Sequence, residues 1–207
     1  MEFNDDVITI LSLVGFMVGK EITPEDFLNK WSEDITNWGL RFYGEKGWKA
    51  EMSNDEITRG VIYPYLLTSL APRLGVRVRF EIPLKWREEG KNKKMDAVLY
   101  DNEFITKLAH VEYENNYGRL LDENRKFHYS EPPLKVLITI PDLQNKADKA
   151  EFNEWVDISL SPIIFGSLQE KPDNKWLFLY SADLELVRWH AMKFENRNGV
   201  PEKIELA

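Results

Sequence analysis

The chain contains no cysteine, which excludes disulfides and thiolate zinc sites. Histidine is scarce: His110, His128 and His190 are the only three, and they are scattered, which argues against a His-rich metal site. No long hydrophobic run is present. The longest apolar stretch, Val7 to Val18, is interrupted by Thr9, Ser12 and Gly15. It falls short of the roughly 20 residues that span a bilayer. It follows Asp5 and Asp6 rather than a basic segment, so it does not read as a secretory signal. These absences predict a cytoplasmic protein without a membrane partner. Positive charge is also in short supply. There are 27 Lys and Arg against 35 Asp and Glu, a formal net charge of -8. No global field attracts nucleic acid, so contact with it would need a local basic patch.

What is present suits a folded domain. The 207 residues are 43% hydrophobic and include 7 Trp, 8 Tyr and 11 Phe, ample material for a core. Residues 1–52 read as an N-terminal helical extension packed on a core of residues 53–195, with residues 196–207 as a loose polar tail. The first 20 residues are expected to form a buried helix. A second helix starts at Thr23, a good N-cap followed by Pro24 and two acids. Phe27, Leu28, Trp31, Ile35 and Trp38 then recur at helical spacing. Ser53-x-x-Glu56 fits a capping box for a third helix, which Pro64 should bend and which Pro72 and Gly75 should end.

The pattern then changes to strands. Val76, Val78, Phe80, Ile82, Leu84 and Trp86 alternate as one face of a first strand. Lys94 to Tyr100 and Phe104 to Glu114 read as two more, joined as a hairpin. A helix over Arg119 to Tyr129 is stopped by Pro132 and Pro133. Leu134 to Ile140 is mostly apolar, as in an interior strand. A helix over Asp148 to Leu160, a strand over Trp176 to Tyr180 and a possible partner in Leu184 to Phe194 complete the order. Antiparallel strands followed by a crossover predict a mixed central sheet flanked by helices, an α/β fold bordering on α+β.

Three carboxylates stand out. Asp96 sits beside the apolar Ala97-Val98-Leu99. Glu112 and Glu114 are two apart on the next strand and so share a face, about 7 Å apart. A hairpin turn centred between Asn102 and Glu103 would set Asp96 opposite Ala109. A turn centred near Phe104 would set it opposite Glu112. Clustered carboxylates repel one another unless a cation lies among them. Mg²⁺ accepts hard oxygen ligands and keeps several waters, so two or three carboxylates suffice.

This order of elements, with Lys94-Met95-Asp96-Ala97-Val98-Leu99 on one strand and His110-Val111-Glu112-Tyr113-Glu114-Asn115 on the next, resembles the PD-(D/E)xK nuclease superfamily. The resemblance runs from about Ser53 to Ile140 and implies a restriction-endonuclease-like core. It also implies Mg²⁺-dependent hydrolysis of phosphodiester bonds in nucleic acid, DNA above all, with Mn²⁺ as a substitute ion. Asp96 and Glu112 would be metal ligands, and Glu56 on the first core helix resembles a third. Glu114 stands where the catalytic lysine is usual, the one clear departure from the motif. Lys126, on the following helix, would then supply the missing positive charge. Homodimers are common among similar nucleases.

For nucleic-acid contact the best local candidates are Lys85, Arg87, Lys91, Lys93 and Lys94, crowded before the second strand, together with Arg125. The alternative is a nuclease-fold protein without catalysis, acting as a nucleic-acid-binding or protein-interaction module. The missing lysine and the net negative charge favour that alternative.

Overall fold

The computed structural model describes residues 21–34, 62–88, 91–114, 116, 119–140, 146–181 and 189–206. Helix α1 covers residues 24–34. Thr23 caps it, its Oγ1 accepting the amide of Asp26 at 3.0 Å. Phe27, Leu28 and Trp31 are buried along one face. The expected helix over the first 20 residues lies outside the described residues, as do Ile35, Trp38, Ser53 and Glu56.

Helix α2 is Tyr63–Arg73. Pro64 falls in its first turn rather than bending its middle. There its missing N–H costs no internal bond. The helix ends in a paired-bond motif: Val76 N reaches Ala71 O and Gly75 N reaches Pro72 O, both at 2.9 Å. Gly75 has φ +65°, open to glycine without a Cβ clash.

Seven strands follow: β1 Arg77–Glu88, β2 Lys91–Tyr100, β3 Lys107–Tyr113, β4 Leu134–Thr139, β5 Lys175–Tyr180, β6 His190–Arg197 and β7 Val200–Leu206. They form one mixed sheet in sequence order. β1, β2 and β3 are an antiparallel meander, β3, β4 and β5 run parallel, and β6 and β7 turn back antiparallel. Both parallel connections carry helices. Helix α3, Leu120–His128, links β3 to β4. Helix α4, Lys146–Trp155, a π-helical turn Val156–Leu160 and helix α5, Ser161–Glu170, link β4 to β5. The mixed sheet flanked by helices is as expected.

One sheet face packs on α1 and α2 through Trp31, Leu66, Leu70, Leu99, Val111 and Val136. The opposite face packs on α3, α4 and α5, with Phe127, Phe152 and Ile164 against Leu137, Trp176 and Phe178.

Three expectations need correction. Helix extends beyond Leu160 to Glu170, through Pro162 in the first turn of α5. A proline needs no N–H partner there, so it does not stop the chain. The stretch expected as a loose tail carries β7, which pairs with β6 across a two-residue turn. Asn198 and Gly199 both have positive φ, 54° and 85°, as such hairpin turns require. The β1 alternation, expected to hold one face from Val76 to Trp86, breaks at Glu81, whose φ is +55°. Val78 and Phe80 pack into the core under α2. Ile82 instead packs with Met95, Val98 and Tyr100 on the other side.

Candidate functional site

The β2–β3 turn decides which residues meet. Asp101 accepts the amides of Ile105 at 2.8 Å and Thr106 at 2.9 Å. Phe104 lies at φ +59°. This wide turn gives the pairs Ala97 with Val111, Val98 with His110 and Leu99 with Ala109. Continued by one step, the same register sets Asp96 opposite Glu112, the longer of the two turns considered from sequence.

At that point each carboxylate bonds the other strand. Asp96 Oδ2 accepts the amide of Tyr113 at 3.0 Å, and Glu112 Oε1 accepts the amide of Asp96 at 3.2 Å. Glu112 is fully buried. Its Oε1 also meets His110 Nε2 at 2.5 Å. Its Oε2 receives Lys126 Nζ at 2.9 Å. Lys126 is brought there by α3, and its ammonium also pairs with Glu123, one turn earlier on that helix. From α2, the buried Tyr63 stacks on Tyr113 with ring centroids 5.1 Å apart. Asp96, Glu112, Glu123, Lys126 and His110 thus form one polar cluster at the junction of β2, β3 and α3, with His110 and Glu112 fully buried and the other three half-buried.

One ammonium serves three carboxylates, and their proton affinities reflect that shortage. Burial raises Glu112 to about 8, and the charge of Asp96 adds to it. Burial and the neighbouring Glu112 raise Glu123 to about 7. Asp96 is raised by burial, with Lys126 opposing. Burial works against the charged form of Lys126, but Glu112, Glu123 and Asp96 outweigh it and hold the ammonium protonated. Burial, helped by Lys135 and Lys126, depresses His110 well below the usual range, so it is neutral. A single proton therefore sits between His110 Nε2 and Glu112 Oε1, whichever of the two carries it. Burial and the charges of Asp96 and Glu112 raise the Tyr63 hydroxyl.

The other expected site residues are placed differently. Glu114 lies just past β3 and is buried, its Oε1 accepting the amide of Asn116 at 2.9 Å. Lys85, Arg87, Lys91 and Lys93 were expected to crowd the link before the second strand. Their backbone instead continues the β1–β2 ladder, with Arg87 opposite Asn92 and Glu88 opposite Lys91. The side chains of those four lie outside the described residues, as does the whole of Glu56. Lys94 is exposed and pairs with Glu81 at 3.0 Å. Arg125 is exposed and pairs with Asp122 at 3.1 Å. Glu123 was not singled out from sequence. Its signal was its spacing, three residues before Lys126, which sets both on one helix face.

The donors gathered at Asp96 and Glu112 are hard carboxylate oxygens, the type that Mg²⁺ and Mn²⁺ prefer. Among the described residues no three of His, Asp and Glu are grouped so as to hold a metal ion. Nor is any described helix long and apolar enough to cross a membrane. Comparison with known proteins returns no matching family model, no matching curated protein and no matching solved structure.

Proposed function

We propose that this protein is a Mg²⁺-dependent nuclease that hydrolyses phosphodiester bonds of nucleic acid, DNA first, on a restriction-endonuclease-like core. The observation that carries this reading is the reach of Lys126 from α3 to Glu112, the buried carboxylate beside Asp96. The Glu-x-Glu motif lacks a lysine on β3, and the helix supplies the cation at the same carboxylate.

Asp96 and Glu112 would hold the ion. The two suffice because Mg²⁺ usually keeps several waters and takes further oxygens from a substrate phosphate. When bound, the ion would offset charge developing on the phosphate and lower the pKa of a coordinated water. The chain's own groups have separable tasks. Lys126, held protonated by its three acidic neighbours, presents a permanent positive charge for a phosphate oxygen. Glu123, raised to about 7, exchanges a proton at neutral pH, as a general base or acid requires. His110 fixes Glu112 Oε1, which aims Oε2 toward Lys126.

One feature favours a second reading, a binding module without hydrolysis. Both oxygens of Glu112 are already engaged inside the protein, so an ion must displace Lys126 or share its carboxylate. Calorimetry with Mg²⁺ and Mn²⁺, and cleavage assays on single- and double-stranded DNA and on RNA, separate the two. Under the nuclease reading the native protein binds the ion and cuts. Asp96→Ala then loses activity by about 10³-fold or more, the scale of several kcal/mol of transition-state stabilisation. A native protein that binds no ion and cuts nothing leaves the binding module.

A further inference from the structure

The polar half of β1 faces the same side of the sheet as the acidic cluster. Arg77 lies opposite Tyr100 and Arg79 opposite Val98. Val98 in turn lies opposite His110, whose ring contacts Glu112. Residues opposite one another across a ladder share a face. Asp96 is two residues from Val98, about 7 Å along the strand.

Both arginines are exposed, yet both are fixed. The Arg77 guanidinium lies 5.0 Å from the centre of the Phe104 ring. That of Arg79 lies 4.3 Å from Phe104 and 5.5 Å from Tyr100. Stacking on a ring holds the planar group flat and leaves its N–H edge free to meet an anion. Lys94, Lys107 and Arg125 each pair with a carboxylate. Among the described residues no carboxylate pairs with Arg77 or Arg79. In a chain of net charge -8, two oriented cations with no carboxylate partner among the described residues mark a place for an anion.

We propose that Arg77 and Arg79, stacked on Phe104 and Tyr100, bind the phosphate backbone of the nucleic acid whose scissile phosphate is presented to Asp96 and Glu112. This rests on the nuclease reading and adds the surface that seats the substrate. Two cations at alternate strand positions match a chain of repeating phosphates better than one compact anion. Contacts of this kind position a strand without reading its sequence.

The test uses a labelled 20-base-pair DNA duplex and its single strand, with fluorescence anisotropy in Ca²⁺ across a range of salt. Arg77→Gln/Arg79→Gln keeps much of the stem that packs on the rings and removes both charges. It should weaken binding about 10-fold or more near 0.1 M salt. It should also flatten the log–log salt dependence by about 2, since each phosphate contact contributes roughly 0.9. Arg77→Lys/Arg79→Lys should restore the slope, which a purely structural loss would not allow. Native affinity and slope in the glutamine variant would overturn the proposal, and cleavage by the native enzyme would still leave the nuclease standing. Binding that depends on both arginines without any cleavage would support the surface and remove hydrolysis. A native protein that binds neither duplex nor strand would overturn both.

Discussion

The two faces of the central sheet both bury apolar side chains, but only one of them also buries a cluster of charged groups. Under α1 and α2 the core is apolar from Trp31 to Val136. Under α3 the sheet buries His110, Glu112 and Lys135, and the helix itself buries Asn124. Burying apolar area contributes about 25 cal/mol per Å². Burying charge costs free energy unless a partner is supplied. Both faces hold the fold through apolar burial, but the second adds, under α3, groups that stability alone would not select. A cluster kept at that cost is a candidate for function.

The apolar face can be broken first. Leu99 is completely buried, two residues past Ala97 on β2. Leu99→Ala should destabilise the protein by about 3 kcal/mol in urea unfolding, from lost transfer energy and the cavity left behind. Asp96 and Glu112 lie on the other side, so metal binding by the folded fraction should be unchanged.

The polar face should respond next, and in a pH-dependent way. Lys126→Met keeps the stem and removes the ammonium that three carboxylates share. At pH 8.5 the loss should be about 2–3 kcal/mol, because Glu112 and Glu123 must then either stay ionised without their cation or take up protons against the pH. At pH 5 both carry protons, and the loss should shrink below about 1 kcal/mol. An equal loss at both pH values would show that Lys126 acts through packing, and the contrast between the faces would fail on this point.

The sign of the native pH dependence follows from the same groups. Glu112 is raised to about 8 and Glu123 to about 7, both from 4.5. The folded state therefore binds protons more tightly than the unfolded state. Their contribution is fully present below about pH 4.5 and is lost as pH rises through 7 to 8. The melting temperature should therefore fall across that window. Glu112→Gln should flatten the fall, since the amide does not ionise. Under the nuclease reading Mg²⁺ should flatten it as well, because the ion stabilises the ionised carboxylates, and its effect should grow with pH.

Much of this contrast was legible in the amino-acid order, and the reasons are local. The run Leu134 to Ile140 and the strands around Asp96 and Glu112 follow from period-two and apolar patterns. The meeting of Asp96 with Glu112 was legible only as one of two turns. The choice was made by Asp101, whose carboxylate holds the amides of Ile105 and Thr106. Strand β7 was missed because its polar composition suits an edge strand as well as a tail, although Asn198-Gly199 carried a hairpin signal. Glu123 was hidden because a single acid on a helix is usually solvated. Its spacing to Lys126 shows only a shared helix face; its role comes from α3 crossing over the site. Arg77 and Arg79 were passed over as the outer half of an alternating strand.

The smallest test concerns where the two faces exchange residues. At Glu81 the alternation of β1 reverses, and β2 reverses opposite it, since Met95 joins Ile82 while Ala97 and Leu99 stay under α2. That reversal frees Asp96 from the ladder to bond Tyr113 through its side chain. Glu81 achieves it with φ +55°, a region that costs a side chain about 1 kcal/mol or more and glycine little. Its carboxylate contributes only an exposed pair with Lys94, of about 0–1 kcal/mol. Glu81→Gly should therefore stabilise the protein slightly, by less than about 1 kcal/mol in urea unfolding, and leave metal binding intact. A loss of more than about 1 kcal/mol would mean that the Glu81 side chain itself secures the reversal.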